Sequence, residues 1–278
     1  MDTTVFYAWQ DDRAKEQHHY FLRDVLRDAI RDISADSKVE ESPRLDHDTQ
    51  GKSGTPDIST TIFEKIQNCV VFVADVTFVG RSVLRKKYLP NPNVLIELGY
   101  AARSIGWERI VLVMNEAYGS WQKLPFDLQN RRKPVLYKWP RAEVELTREK
   151  INGLRQWLKL ALAAALQEEH ASVNNAVGSL DESCLKIMRA SNGNSFSGPV
   201  TDKPTLFANL EITALNQTIR TLINLKLLVC DVNSNSNVNK HAYHWSALGK
   251  LVLRKLEIGA VVPQVDRHHA LQTIQINC

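Results

Sequence analysis

Long apolar runs and a secretory leader are both missing from this chain, and each absence removes a class of protein. No stretch approaches the roughly 20 apolar residues that span a membrane. The most apolar helical segment, 157–166, is shorter than that and contains Lys159. The first residues show no basic segment followed by an apolar core, as a secretory signal would. We therefore expect a cytoplasmic protein that does not associate with membranes.

Cysteine is scarce as well. The four cysteines lie far apart, without the close pairs of a zinc site or a redox motif. His268 and His269 lack spaced acidic or cysteine companions. We interpret the cysteines as thiols in a reducing compartment, and we expect neither a metal site nor a bound cofactor.

Glycine-rich phosphate loops and a strong charge of one sign are also missing. No Gly-x-Gly-x-x-Gly follows the first predicted strand and no Walker sequence occurs, which argues against ordinary dinucleotide oxidoreductases and P-loop ATPases. Lys plus Arg number 35 against 31 for Asp plus Glu, divided 25 to 24 up to Ser172 and 10 to 7 beyond it. A large electrostatic footprint for nucleic acid is therefore not expected, although a local patch is compatible with these numbers.

The segment 91–101 places one acidic residue, Glu97, among apolar neighbours. Asn91 is a good N-cap and Pro92 suits the first helical position, so a helix is predicted to start here. At 100° per residue, Glu97 shares a stripe with Asn93 and Tyr100, beside the apolar arc. A carboxylate at this border can line a cleft, but spacing alone favours an ordinary solvated glutamate.

Strand and helix patterns alternate over the first 170 residues. Strand-like runs cover 4–9, 69–76, 109–114 and 134–137, and helical periodicity covers 16–33, 55–68, 91–105 and 143–168. The segment 39–54 is interpreted as a loop, and the basic stretch around 81–87 as poorly structured. This alternation predicts an α/β fold with a five-stranded parallel, doubly wound sheet in a domain over 1–170.

Polar residues follow the predicted strands. Gln10 and Asp12 come directly after the first strand, and Asp75 ends the central one. The carboxyl ends of parallel strands are where such sheets gather ligands. Asp75 can be either a site residue there or a cap for the next turn.

The rest of the chain predicts a smaller domain. A small, polar linker over 171–180 precedes helices at 181–189 and 213–225, strands at 226–232 and 241–245, and a last helix from 246, with a loop at 192–203. This order is similar to a winged helix over 181–278. The predicted recognition helix offers Asn216, Gln217 and Arg220, with a single arginine, so the phosphate contribution to DNA affinity would be weak. We expect this helix to contact a protein or nucleoprotein partner, with weak or no sequence-specific DNA binding.

Five segments of the first domain carry a recognisable pattern: Val5-Phe6-Tyr7-Ala8-Trp9-Gln10, Asp46-His47-Asp48-Thr49, Gly54-Thr55-Pro56-Asp57-Ile58, Val73-Ala74-Asp75-Val76-Thr77 and 91–101. Together they resemble bacterial TIR-like domains, relatives of the Toll/interleukin-1 receptor fold. The Glu-Leu-Gly-Tyr-Ala ending is also similar to nucleoside 2-deoxyribosyltransferases. The resemblance covers roughly residues 3–138. It implies cleavage of an N-glycosidic bond by Glu97, with the loop after strand one bordering the nucleotide and 46–54 as the loop after strand two.

The chemistry fits a single carboxylate. Loss of nicotinamide from NAD passes through a transition state with oxocarbenium character, which one carboxylate can stabilise or attack without a metal. The residues expected to bind the substrate are Tyr7, Trp9, Gln10, Asp12, Asp48, Thr49, Asp75 and Asn93. The first strand ends in Ala-Trp-Gln, not in the Ser-containing ending of many TIR domains, so the substrate stays open.

A glycosidase-like domain joined to a winged helix resembles effectors of bacterial antiphage systems, including retron effectors. That resemblance implies a toxic NAD glycohydrolase controlled by oligomerisation or by a partner such as a reverse transcriptase with its RNA–DNA product. The alternatives are a nucleoside or nucleotide N-glycosidase or deoxyribosyltransferase, a cyclic ADP-ribose synthase, and a non-enzymatic DNA-binding or adaptor protein.

Overall fold

The computed structural model describes residues 4–36, 43–47, 58–84, 87–140, 142–143, 145–198, 211–232 and 241–257. The chain forms two compact units. The boundary between them falls after Gly178, and the short stretch Ser246–Leu248 is grouped with the first unit. The first unit is built around a parallel sheet, whereas the second combines helices with a small antiparallel sheet.

A parallel sheet forms the centre of the first unit. The strands of this unit are, in chain order, β1 Thr4–Ala8, β2 Arg44–Asp46, β3 Val71–Asp75, β4 Phe78–Arg81, β5 Tyr88–Pro90, β6 Ile110–Asn115 and β7 Val135–Tyr137. Five of them pair in the order β2-β1-β3-β6-β7, and every pairing is parallel. This confirms the α/β class and the predicted number of five parallel strands, of which β2 was not among the strand-like runs located in the sequence.

The middle of this sheet is completely covered. Every residue of β3 is buried, as expected of a parallel strand with elements packed on both of its faces. Phe6 of β1 lies opposite Phe72 of β3, and their rings stack with centroids 5.9 Å apart. The near-continuous apolar run in the sequence therefore reflects burial on both faces.

Helices flank the sheet. They are α1 His19–Asp36, α2 Ile58–Asn68, α3 Pro92–Ser104, α4 Phe126–Gln129 and α5 Arg148–Gly178. α1 packs with α5, whereas α2 packs with α3. This pairing is consistent with a doubly wound sheet. Arg155 of α5 forms ion pairs with Asp28 and Asp32 of α1, which link the first pair of helices.

One strand lies in a segment that was expected to be a loop. β2 falls within the predicted loop 39–54, and it is a three-residue edge strand that pairs with β1. The loop prediction is wrong at 44–46, because three residues are too few to show an alternation of apolar and polar positions.

Two further strands flank the basic stretch around 81–87. β4 and β5 form an antiparallel hairpin, and the rings of Phe78 and Tyr88 lie 4.7 Å apart. Within the basic stretch, Arg81 ends β4, whereas the described residues 82–84 and 87 belong to no helix or strand.

The helix α5 is longer than its sequence pattern indicated. It continues to Gly178, through most of the segment expected to be a linker. Val173 and Ala176 are buried and extend the stripe that Ala165 and Glu169 occupy at helical spacing. The connection to the next helix is therefore confined to 179–181.

The second unit contains an antiparallel sheet with β10 at its centre. Its elements are α6 Glu182–Ser191, β8 Phe196–Gly198, α7 Ile212–Asn224, β9 Leu228–Val232, β10 His241–Trp245 and α8 Ala247–Lys255. β10 pairs with both β8 and β9. The hairpin predicted from the sequence is present, but β8 was expected to be loop. A Cβ at Gly249 would collide with the backbone carbonyl of Leu227, so glycine permits α8 to pack closely there.

Within the residues defined above, none of the helices combines the length and the apolar character needed to cross a membrane.

Candidate active site

The carboxyl ends of β1 and β3 lie side by side in the central sheet of the first unit. After β1 the chain forms β2 at one edge of the sheet, and after β3 it forms β6 and β7 on the other side. The strand order therefore reverses between β1 and β3, which makes this the switch point of the sheet. The residues that follow the two strands are 9–13 and 76–77. Ligands of open α/β sheets bind outside such a point.

The helix α3 begins beside this edge, and the side chain of Asn91 caps its N-terminus. The Asn91 side chain accepts hydrogen bonds from the backbone N–H groups of Asn93 at 2.8 Å and Val94 at 3.1 Å, and Pro92 follows at the first helical position. These contacts satisfy donors that a helix start leaves unpaired. Asn91 also donates to the Asp12 carboxylate at 2.6 Å. The start of α3 is therefore joined to the loop that follows β1.

Glu97 lies in the second turn of α3 and is partly buried. Among the described residues, none donates a hydrogen bond to its carboxylate or forms an ion pair with it. Burial raises the pKa of Glu97 from its ordinary value of 4.5 to about 7, since a desolvated carboxylate is disfavoured in its charged form. A carboxyl group near half-ionisation at neutral pH, without a structural partner, has the properties of a functional group.

The neighbours of Glu97 along the helix show which flank it occupies. Tyr100 follows one turn later, and its hydroxyl donates to Gln67 of α2 at 3.3 Å. The Tyr100 ring also packs against Phe63, with centroids 4.6 Å apart. Residues three apart lie on the same side of a helix, so Glu97 is on the flank of α3 that faces α2.

Trp9 is half-buried and already has a stacking partner. Its ring lies 3.7 Å from that of His19 and is nearly parallel to it, at 9°. The Trp9 indole N–H donates to the backbone carbonyl of His47 at 3.0 Å, at the end of β2. His19 has its pKa lowered to about 4, mainly by burial and then by His47, so its ring is neutral at pH 7. One face of Trp9 is therefore covered, and a nucleotide base would have to use the other face.

The loop after β1 is held at several points. Gln10 is buried, and its side-chain oxygen accepts from the backbone N–H of Arg13 at 2.9 Å. The Arg13 guanidinium donates twice to the carbonyl of Phe78, at 2.8 and 3.2 Å, and lies over the ring of Tyr118. Asp12 is exposed apart from its bond to Asn91. These contacts bring together the segments after β1, β3 and β6.

A buried polar cluster lies at the same edge, made of Tyr7, His18, Asp75 and Tyr137. The Tyr137 hydroxyl donates to the carbonyl of Gln17 at 3.3 Å and lies 3.2 Å from Nδ1 of His18. The same nitrogen lies 3.7 Å from Asp75 Oδ2. Burial and then Asp75 raise the pKa values of both tyrosines above their ordinary value.

This cluster is incompletely paired. Asp75 Oδ1 accepts from the backbone N–H of Thr77 at 3.0 Å, which is the turn-capping role that the sequence left open. By contrast, Asp75 Oδ2, the Tyr7 hydroxyl, Nε2 of His18 and Nε2 of Gln10 have no hydrogen-bond partner among the residues that the structure describes. Tyr7 and Asp75 are 0 % exposed. A ligand could reach the side chains of Tyr7 and Asp75 only if the residues that cover them moved. Their assignment to substrate binding stays a prediction.

The other predicted site residues fall in different places. Asn93 is exposed on the stripe of Glu97. Asp48 and Thr49 lie outside the described residues. In the second unit, Gln217 and Arg220 are exposed on α7 and Asn216 is half-buried, so α7 presents a polar face. Their role in partner binding stays a prediction.

Three polar residues at this edge were not selected from the sequence. Arg13 lies in the polar segment 10–13 after the first predicted strand, and the sequence does not indicate its contact with Phe78. His18 and Tyr137 are separated by 119 positions, so neither periodicity nor a motif could pair them. Proximity to the end of a predicted strand was the one feature of the sequence that could have indicated such site residues.

Comparison with known proteins gives no identification. No protein-family model matches the chain, and no curated protein matches it. Within the part of the chain that the structure describes, no group of three or more His, Cys, Asp or Glu residues could hold a metal ion.

Proposed function

We propose that this protein is a TIR-like effector that cleaves the N-glycosidic bond between nicotinamide and ribose in NAD, with Glu97 as the catalytic residue. The supporting observation is the position of Glu97. It is a partly buried carboxylate without a partner among the described residues, on a helix whose cap is joined to the loop after β1. The sheet order matches the flavodoxin-like order, which gathers ligands at this edge.

The carboxylate would act on the positive charge that develops at the ribose as nicotinamide leaves. An ionised Glu97 stabilises the oxocarbenium-like transition state or attacks the anomeric carbon, and water then completes hydrolysis. Partial burial strengthens this interaction, since charges attract more strongly where water is excluded. Nicotinamide departs as a neutral molecule, so a single carboxylate is sufficient.

The second unit supplies regulation in this proposal. Its order of α6, β8, α7, the β9–β10 hairpin and α8 is compatible with a winged helix. The face of α7 that carries Gln217 and Arg220 would contact a protein or nucleoprotein partner. Release from that partner, or a change of oligomeric state, would start NAD depletion during phage infection and stop growth of the infected cell.

The test is nicotinamide release by the purified full-length chain, alone and together with the products of neighbouring genes. We expect Glu97→Gln to lower the rate by roughly 100-fold or more, the size of effect found when a charge-stabilising group is removed. Glu108→Gln is the matched control, because Glu108 is an exposed glutamate of the same unit. Chromatography separates ADP-ribose from cyclic ADP-ribose and from transferred deoxyribose, which distinguishes the rival enzymes.

The non-enzymatic alternative predicts a different pattern. If the assembled and activated protein releases no nicotinamide, and Glu97→Gln protects cells from phage as well as the wild type does, the proposed activity is wrong. An adaptor that acts through α7 would instead lose function in Arg220→Ala.

A further inference from the structure

Two groups of positive side chains in the first unit differ in what they contact. On α1 and α5 they are paired with carboxylates: Arg23 with Asp24, Arg31 with Asp28, Arg155 with Asp32 and Lys159 with Asp36. Each of these pairs is close to neutral, so that surface attracts a polyanion only weakly.

A second group of cations is held by aromatic rings. Arg81 lies 3.9 Å and Lys123 4.7 Å from the ring centroid of Tyr88. Lys133 lies over Trp121, at 5.8 Å from its centroid, and Arg131 over Trp107, at 4.2 Å. Among the described residues, no carboxylate comes within the 4.0 Å of an ion pair to any of these four cations. A ring orients a cation but carries no net charge, so this positive charge is not neutralised.

These contacts follow one another across the surface. Tyr88 of β5 lies between Arg81 and Lys123, and Lys123 belongs to the single helical turn Trp121–Lys123. Trp121 then contacts Lys133, which is two positions from Arg131. We name the four cations Arg81, Lys123, Lys133 and Arg131, with their rings, the basic row.

The sequence around the basic row has the same bias. Between Asp75 and Glu97 there are four basic residues and no acidic one. From 117 to 142 there are six basic residues against one acidic residue, Asp127. The net charge of +4 for the whole chain conceals this concentration, because the acidic residues lie elsewhere.

An exposed aromatic ring accompanies the basic row. Phe126 of α4 is 75 % exposed, although a phenylalanine normally buries most of its surface. α4 packs against the helical turn Trp121–Lys123. An exposed ring beside a line of unpaired cations is the combination by which proteins hold unstacked bases together with their phosphates.

We propose that the basic row, together with Phe126, binds single-stranded nucleic acid. The cations contact successive phosphates and Phe126 stacks on a base. A duplex would offer its phosphates but not the face of a base, so a single strand makes better use of the surface. This surface belongs to the first unit and is distinct from α7. The inference does not depend on the glycosidase activity.

An anionic membrane is the competing partner, because the β4–β5 turn carries two almost fully exposed apolar residues, Val83 and Leu84. Two residues offer little area for insertion, and the aromatic rings of the basic row hold cations and are not grouped as an apolar surface. The structure therefore favours nucleic acid, and vesicles serve as a comparison in the test.

The experiment measures fluorescence anisotropy of a labelled oligothymidine of about 20 nucleotides, longer than the typical site of a single-strand binder. The full-length protein is titrated at salt concentrations from about 50 to about 200 mM. The triple variant Arg81→Ala, Lys123→Ala, Lys133→Ala removes three cations. Its matched control, Arg23→Ala, Arg27→Ala, Arg31→Ala, causes the same change in net charge on α1.

We expect the wild type to bind the single strand more tightly than a duplex of equal length, and to lose affinity as salt rises. The triple variant should lower the slope of log K against log salt by about 2, since each phosphate contact on a single strand contributes about 0.7. The α1 control should leave the slope unchanged. Phe126→Ala should weaken binding roughly tenfold, the order of one lost base stack, without changing the slope.

Three results would overturn the inference. They are equal loss of binding in the triple variant and the α1 control, tighter binding to duplex than to single strand, and binding to anionic phosphatidylserine vesicles without binding to the oligonucleotide. All substituted residues of the triple variant are exposed, and circular dichroism checks that each variant is folded.

Discussion

Two carboxylates of the first unit show how surroundings separate residues of similar chemistry. Asp75 is completely buried, with one oxygen bonded to the backbone of Thr77 and the other near His18. Glu97 is partly buried without such contacts to the described residues, and burial alone raises its pKa to about 7. Asp75 is therefore tied to the local structure, whereas the carboxylate of Glu97 is tied to none of the described residues.

The raised pKa of Glu97 predicts how activity depends on pH. The proposed mechanism needs the ionised carboxylate, and that form becomes the majority only above about pH 7. Nicotinamide release should therefore rise roughly tenfold for each pH unit at low pH and level off above about pH 7. Initial rates between pH 5 and pH 9 at NAD concentrations well below KM measure this, because kcat/KM reports the ionisation of the substrate-free protein. A rate that is constant down to pH 5 would contradict an ionised Glu97 in the rate-limiting step.

The raised pKa of Glu97 also predicts how the stability of the folded protein depends on pH. Activity should rise with pH, whereas the contribution of Glu97 to stability should fall. The folded state keeps a proton on Glu97 up to about pH 7, whereas an unfolded glutamate loses it near 4.5. The stability contributed by this group is therefore complete below about pH 4.5 and is lost as the pH rises to about 7. Glu97→Gln should increase the free energy of unfolding by about 1 to 2 kcal/mol at pH 8, allowing for solvent screening, and by almost nothing at pH 4.5.

Urea unfolding at the two pH values measures this difference, and Glu108→Gln is again the exposed control. An equal effect of Glu97→Gln at both pH values would show that packing, and not ionisation, distinguishes the two side chains.

At the scale of the element, α3 depends on its first residue. Asn91 accepts from the backbone N–H groups of Asn93 and Val94, and it also donates to Asp12. Asn91→Ala should lower the free energy of unfolding by about 1 kcal/mol, the usual loss on removing a polar cap. Asn91→Ser keeps a capping oxygen but loses the amide donor, so we expect it to cost less than half as much.

Denaturant titrations of these two variants separate capping from the contact with the loop. If Asn91→Ser is as destabilising as Asn91→Ala, the bond to Asp12, and not the cap, is the important interaction.

At the scale of the whole molecule, the chain combines a candidate site in the first unit with an exposed polar helix face in the second. If the second unit regulates the first, the double variant Gln217→Ala, Arg220→Ala should lose its response to a partner. We expect its nicotinamide release without partner to stay within about twofold of the wild type, because exposed polar substitutions rarely disturb folding.

The response to a partner is measured by the growth of cells that express the variant with and without the neighbouring genes. The nicotinamide release without partner is measured with the purified protein. Loss of the intrinsic activity in this variant would contradict the division of roles between the units.

The sequence predicted the elements with strong patterns and missed those with weak ones. The sequence predicted the buried strand β3 and the N-cap of α3, because each depends on residues that lie close together in the sequence. The sequence did not predict β2, β4, β5 and β8, because each has three or four residues and includes a polar residue, a glycine or a proline. The equally short β7 was predicted from its uninterrupted apolar sequence, Val135-Leu136-Tyr137. The linker was expected over 171–180, but residues 171–178 belong to α5, where small polar residues occupy the exposed face while Val173 and Ala176 are buried.

The α/β class and the start of α3 could be predicted from consecutive residues, since both depend on local spacing and capping chemistry. Spacing alone favoured a solvated glutamate at position 97, and Glu97 was selected because its segment resembles TIR-like domains. Only the tertiary structure decided what surrounds these residues. It buried Glu97 enough to raise its pKa, stacked His19 on Trp9, and placed His18 beside Tyr137 across 119 positions. It also gathered cations from separate segments into the basic row, a concentration of charge that a nearly balanced composition hides. Burial and electrostatics depend on distance in space, and distance along the chain does not specify it.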